Sequence, residues 1–198
     1  MSSLFALLAE LHRKGHARDD LALHHDGRAL VGNQKFRPAA VLAAVTERDR
    51  PGVLLIHRPS NMRAHPGQVA FPGGKIDPGE SPVEAALREA HEELGIHPDD
   101  VRLIGESDIY FTGSGFEITP VIGIIPPDLE LDPNPGEVAQ WFEAPLDFVL
   151  DPANQREVPY EYEGQPTTYW DIQWEQHRIW GVTAGLIVNL SRRLGWRA

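Results

Sequence analysis

Residues Gly74 to Ile96 read GKIDPGESPVEAALREAHEELGI. The stretch begins as a glycine- and proline-punctuated loop. It continues as a helix whose two ends are written in the sequence. Ser81 is a good N-cap, Pro82 fits the first helical position, and Glu84 completes a capping box with Ser81. Gly95 supplies a stop signal and Pro98 prevents continuation. At about 100° per residue, Val83, Ala86, Leu87, Ala90 and Leu94 form one apolar stripe. Glu89, Glu92 and Glu93 gather on a different side, as i,i+3 and i,i+4 neighbours.

Carboxylates at this spacing repel one another, and the single adjacent arginine, Arg88, does not neutralise all three. A bound cation does. Carboxylate oxygens suit hard ions such as Mg²⁺ or Mn²⁺. On the acidic residues alone, a solvated helix face is the competing reading.

The loop and helix together resemble the Nudix box, G-x5-E-x7-R-E-U-x-E-E-x-G-U, where U is apolar. Gly74, Glu80, Arg88, Glu89, Glu92, Glu93 and Gly95 stand at its fixed positions, and Ala90 and Ile96 at its apolar ones. The resemblance implies a mixed-sheet α/β/α sandwich and hydrolysis of a nucleoside diphosphate linked to another group. It also implies metal ligation by Glu89, Glu92 and Glu93, helped by Glu80 and a main-chain carbonyl at Gly73 or Gly74, with Arg88 orienting the carboxylates. Mg²⁺ or Mn²⁺ is the expected cofactor.

Immediately upstream, Leu54 to Gly74 read LLIHRPSNMRAHPGQVAFPGG. This run resembles the signature of the coenzyme A pyrophosphatase branch of that family. Leu54, Leu55, Arg58, Arg63, His65, Gly67, Phe71, Pro72, Gly73 and Gly74 match it, while Pro59 departs from the commoner small polar residue. The branch implies coenzyme A, or an acyl or oxidised derivative, as substrate. Arg58, Arg63 and His65 would place positive charge where phosphates approach a strongly acidic protein. Gly67 and Phe71 complete the expected substrate-binding set, although Phe71 also reads as a core residue. The general base is open among Glu89, Glu92, Glu117 and Glu137.

The rest of the chain frames these motifs. At 198 residues with 41% hydrophobic content, one domain with a sizeable core is expected across 1–198, with 1–36 as an N-terminal helix-and-loop extension. A formal net charge of −11 without a basic stripe argues against nucleic-acid binding. Cysteine is absent, so a thiol nucleophile and a disulfide framework are excluded. No run reaches the roughly 20 apolar residues of a membrane span. The N-terminal SSLFALLAELHRKG lacks the features of a signal peptide, so a cytoplasmic location is the simplest expectation. That segment reads as an amphipathic helix, with Leu4, Leu7, Leu8 and Leu11 packing on its own domain. Strands are predicted over Ala39–Thr46, Gly52–Arg58, Val101–Phe111 and Ile118–Ile125. A late hairpin (Val158–Tyr162 and Thr168–Trp174) and a final helix from about Trp180 to Leu194 follow. Competing functions are a Nudix enzyme for ADP-ribose or NADH, a non-catalytic nucleotide sensor, and a scaffold that uses the first helix. Oligomeric state is not legible.

Overall fold

A computed structural model describes residues 3–21, 35–60, 67–162 and 164–196. The predicted site residues Arg63 and His65 lie outside the described residues, as does most of the loop between the first helix and the first strand.

The chain folds around one mixed sheet. Its central strand, β1 (Arg37–Thr46), reads RPAAVLAAVT and is buried from Ala39 onward except at half-buried Val41. A near-continuous apolar run of this kind suits a strand covered on both faces. β1 runs parallel to β7 (Phe116–Ile125) along its whole length, from Arg37↔Phe116 to Thr46↔Ile125. On its other side it meets β2 (Gly52–His57) and, further along, β4 (Gly73–Lys75), both antiparallel. β3 (Val69–Ala70) and β8 (Gln140–Pro145) pair with β2, and β5 (Arg102–Glu106) and β6 (Tyr110–Phe111) pair with β7.

Alternation along β1 divides the core. Ala40, Leu42 and Ala44 face helix α2 (Pro82–Leu94), meeting Ala85, Ala86, Ala90 and Leu94. Small residues on both partners let helix and sheet approach closely. Ala43 and Val45 face the opposite layer, built from α1 (Leu4–His16), α3 (Leu146–Leu150) and α4 (Val182–Leu194). The result is an α/β/α sandwich. No helix among the described residues is long and apolar enough to cross a membrane.

α2 follows its sequence signals. Ser81 Oγ accepts from the Glu84 amide while Glu84 returns a bond to the Ser81 amide. Gly95 closes the helix at φ 72°, a left-handed conformation that favours glycine. The N-terminal helix packs on its own domain. Leu8 is buried, and Gly15 lies so close to α4 that a Cβ there would sit 1.6 Å from the Arg193 carbonyl oxygen. Arg193 fastens the contact, donating to Gly15 O at 2.9 Å and to both oxygens of Asp108 at 2.6 and 2.7 Å.

Three predicted elements change in the structure. The strand expected over Val101–Phe111 is two strands, because ladder pairing stops at Glu106 and resumes at Tyr110, and the chain between them brings Asp108 to Arg193. The late hairpin gains a third strand. β9 (Arg156–Tyr162), β10 (Gln165–Trp174) and β11 (His177–Trp180) form a separate antiparallel sheet, and the turn into β11 passes through Glu175 at φ 48°. The final helix starts at Val182, not Trp180, because Trp180 is still paired with Asp171 across the second sheet and Gly181 adopts φ 64°.

Candidate active site

The glycine pair that ends the upstream motif is fixed by close approach. A Cβ on Gly73 would lie 2.4 Å from Ala40 O, and one on Gly74 would lie 2.2 Å from Glu89 Oε1. The backbone of β4 is thus squeezed between β1 and the carboxylates of α2: at Gly73 the obstacle to a side chain is backbone, and at Gly74 it is the Glu89 carboxylate, which would have to move. The Gly73 amide uses this proximity to donate to Glu93 Oε2 at 2.9 Å.

Arg88 organises the outer side of α2. Its Nε and Nη2 donate to the two oxygens of Glu80 at 2.9 and 3.1 Å. Nη1 donates to Glu89 at 2.9 Å and to Glu92 at 3.0 Å, and Nη2 also reaches Lys75 O at 3.0 Å. Those bonds occupy every donor position of a guanidinium. They raise the Arg88 pKa well above its usual range, with the Glu80 bonds as the largest cause. Glu80 is lowered in turn, first by Arg88 and then by the Asp77 amide at 3.0 Å.

Glu89 and Glu93 turn the other way. Together with Glu137 they place one carboxylate oxygen each within 4.8 Å of one another. Glu137 comes from the loop before β8, and the loop is held by the end of α2. The Asp132 and Asn134 amides donate to the Leu94 and Glu93 carbonyls, both at 2.9 Å. They satisfy carbonyls that a helix terminus leaves without intrahelical partners. An Asn134 turn, with its side chain accepting from the Gly136 amide at 3.0 Å, then aims the next residue.

The cluster is short of positive charge. Glu93 is only 2% exposed, and burial pushes its pKa up to about 8, with Glu89 and Glu137 adding to the rise and the Gly73 amide and Arg58 opposing it. Burial also raises Glu89, against the lowering influence of Arg88. Arg88 is engaged on Glu80 and Glu92 as well, so it leaves the inner carboxylates underneutralised. Converging, half-buried, oxygen-only donors fit a hard divalent cation.

These groups form part of the wall of an open pocket of about 590 Å³, within the range of small-molecule sites. Arg58 enters from the end of β2, and its Nε is buried without a hydrogen-bond partner among the described residues. Gly73, Gly74 and the buried ring of Phe71 line the pocket as well, although Phe71 packs chiefly as a core residue at 3% exposure. Gly67 stands outside this lining. It is exposed, at φ 68°, and its amide donates to Arg58 O at 3.1 Å.

The structure therefore brings Glu89 and Glu93 together and sets Glu92 apart, half-exposed on Arg88. Glu80 is likewise held by Arg88. Of the candidate bases, Glu137 joins the cluster. Glu117 does not, since its strand neighbours Phe116 and Ile118 face the pocket and alternation turns Glu117 to the other side. Sequence reasoning left out Trp180, Val182, Thr183 and Leu186, which form the wall supplied by β11 and α4.

In this mixed-sheet sandwich a glycine–glycine strand feeds a carboxylate-bearing helix, and comparison with known proteins gives the family. The NUDIX domain profile matches residues 35–162. The chain is 45% identical over 163 residues to a protein of Enterobacter sp. (strain 638) named "Uncharacterized Nudix hydrolase NudL", covering 81% of this chain and 84% of the relative. It is 41% identical over 160 residues to a protein of the same name from Escherichia coli (strain K12), covering 80% and 83%. Among solved structures, a Nudix hydrolase from M. smegmatis, RenU, aligns at TM-score 0.50 and 27% identity over 58% of this chain and 73% of that one. A MutT/nudix family protein from Enterococcus faecalis shares the fold at TM-score 0.50 and 14% identity, over 93% of this chain and 67% of that one. The chain belongs to the Nudix family of hydrolases.

Proposed function

We propose that this Nudix hydrolase is a metal-dependent pyrophosphatase of coenzyme A or its acyl or oxidised derivatives. Family membership supports the coarser statement, hydrolysis of nucleoside diphosphate derivatives with Mg²⁺ or Mn²⁺. The finer one is carried by a single observation. The upstream coenzyme A-type motif abuts the Nudix box at Gly74, and Arg58, on the far side of the turn from the box, lines the same pocket as Phe71, Gly73, Gly74, Glu89 and Glu93.

In this reading Glu89, Glu93 and Glu137 would hold the cation, with the Gly73 carbonyl proposed as a further oxygen donor. The cation supplies charge neutralisation of the diphosphate and a lowered pKa for water. Arg88 orients Glu89 from outside while holding Glu80 and Glu92 in place. Arg58 places its unpartnered N–H at the phosphate end of the pocket. Arg63 and His65 are proposed to add positive charge there. Water attacks one phosphorus of the diphosphate. A new P–O bond forms, the bridging P–O bond breaks, and the bridging oxygen leaves on the other phosphate. Coenzyme A then gives 3′,5′-ADP and 4′-phosphopantetheine.

The test is chromatography of products after incubation with coenzyme A, ADP-ribose or NADH, with and without Mg²⁺ or Mn²⁺. Metal-dependent 3′,5′-ADP from coenzyme A, well above turnover of the others, is the expected result. Cleavage of ADP-ribose or NADH with coenzyme A untouched refutes the substrate while keeping the metal helix. No cleavage of any of them moves the protein to a sensor role.

A further inference from the structure

The face of the second sheet that points away from the core carries an ordered line of rings. Trp180 on β11, Tyr169 on β10 and Tyr160 on β9 follow one another with centroids 5.8 and 5.5 Å apart, each pair edge-to-face. Strand alternation explains the grouping. Ile179 and Ile172 turn inward to the core, so Trp180 and Tyr169 turn outward. Trp180 is 38% exposed, a large apolar ring left to water. It is also part of the wall of the pocket that holds the carboxylate cluster.

The ring is held in place from one side. The Arg178 guanidinium lies 5.4 Å from the Trp180 ring centroid and 6.0 Å from that of Tyr169. It is fixed there by Asp171, which is buried and also accepts from Arg156 at 2.8 Å. Two arginines thus share one carboxylate, and the patch is locally cationic on a chain of net charge −11. An exposed indole, pre-positioned by a cation and opening on the pocket that holds the carboxylate cluster, is a stacking platform.

We infer that Trp180 stacks the nucleobase of the substrate, with the Arg178–Arg156 pair favouring a phosphorylated nucleoside over the neutral arm of the same molecule. The inference rests on the proposed diphosphate chemistry, and it adds the residue that recognises which end of the substrate lies on the second sheet. Stacking on an aromatic ring is sequence-tolerant, so the platform selects for a base as such. The polar groups of the pocket then select among bases.

Two non-hydrolysable probes separate the parts. Adenosine 5′-(α,β-methylene)diphosphate carries base and diphosphate, and methylenediphosphonate carries the diphosphate mimic alone. Calorimetric titration of each into the Mg²⁺-loaded full chain is the measurement. Trp180→Ala is expected to weaken the nucleotide roughly 10- to 100-fold and to leave methylenediphosphonate within about twofold. Trp180→Phe should recover most of the nucleotide affinity, which also shows that the sheet is intact. Unchanged nucleotide binding in Trp180→Ala, or equal loss of both probes, overturns the stacking role. Failure of the wild-type chain to bind either probe overturns the diphosphate reading itself, and the inference falls with it.

Discussion

Replacing Glu93 with glutamine should stabilise the metal-free protein, by an amount that grows with pH. Glu93 is almost fully buried, and its folded-state pKa is pushed up to about 8 from a reference value of 4.5. The folded state therefore holds the proton more tightly than the unfolded state. Stability from this group is fully present below the unfolded value of 4.5 and is lost as pH rises through about 8. With 1.36 kcal/mol per pKa unit, the penalty relative to a permanently neutral side chain is about 1 kcal/mol at pH 5, about 3 at pH 7 and about 4 at pH 8. Glutamine keeps a carbonyl for the Gly73 amide and carries no charge. The assay is urea unfolding of wild type and Glu93→Gln in EDTA at several values between pH 5 and pH 8, followed by far-ultraviolet circular dichroism. The variant should be the more stable one, with a gap that widens by about 3 kcal/mol across that range, or roughly 10 °C in melting temperature at pH 8. Addition of Mg²⁺ at pH 8 should stabilise wild type and leave the variant nearly unmoved. A gap that stays flat from pH 5 to pH 8, or a variant less stable at pH 8, would refute the claim that burial holds this carboxyl protonated.

Metal affinity follows the same proton. Binding of Mn²⁺ in calorimetric titrations should tighten as pH rises from 6 towards 8 and release protons to the buffer, and pH-independent affinity would exclude Glu93 from the ligand set. Gly74→Ala places a Cβ 2.2 Å from the Glu89 carboxylate, so turnover should fall by about 100-fold or more with little change in melting temperature. Normal turnover would mean that Glu89 need not occupy that position. Arg88→Lys should behave nearly as badly as Arg88→Ala, since an ammonium cannot fork between Glu80, Glu89 and Glu92. Recovery to within tenfold of wild type by lysine would show that charge alone suffices. Gly15→Ala drives a Cβ into the Arg193 carbonyl and should destabilise the protein by about 1–3 kcal/mol in the same urea assay. No loss of stability would mean that α1 does not dock on α4 as described.

What could be read from the sequence was whatever local chemistry alone determines. The capping box at Ser81, the stop at Gly95 and the apolar stripe of α2 are decided by residues within one helix and its flanks, and they stand in the structure as written. The carboxylate cluster was only half legible, because its third member arrives by a long-range event. Glu137 sits far along the chain, and it reaches Glu93 because the loop amides at Asp132 and Asn134 cap the end of α2. Helical spacing likewise groups Glu92 with Glu93, but one position of rotation separates burial against β4 from solvent. Phe71 and Trp180 show the same limit from opposite directions. The sequence leaves Phe71 between ligand contact and core residue, and its ring does both, packing in the core while lining the pocket. By its position Trp180 begins a helix, yet it is a paired strand residue on the pocket wall.

The division of labour within α2 also bears on why Arg88 does not simply neutralise the site. Its five donors are spread over Glu80, Glu89, Glu92 and a main-chain carbonyl, all on the outer side except for the one bond to Glu89. An arginine aimed inward would pair Glu93, lower its pKa and remove the charge deficit that draws a cation. The arrangement instead leaves Glu93 and Glu137 facing each other across a space that the Gly73 amide and a more distant Arg58 only partly compensate. Folding is penalised by the burial of Glu93, and in the proposed reading a bound cation would remove that penalty. If Glu93 is a ligand as proposed, substitutions that relieve the penalty, such as Glu93→Gln, should raise stability and lower activity together.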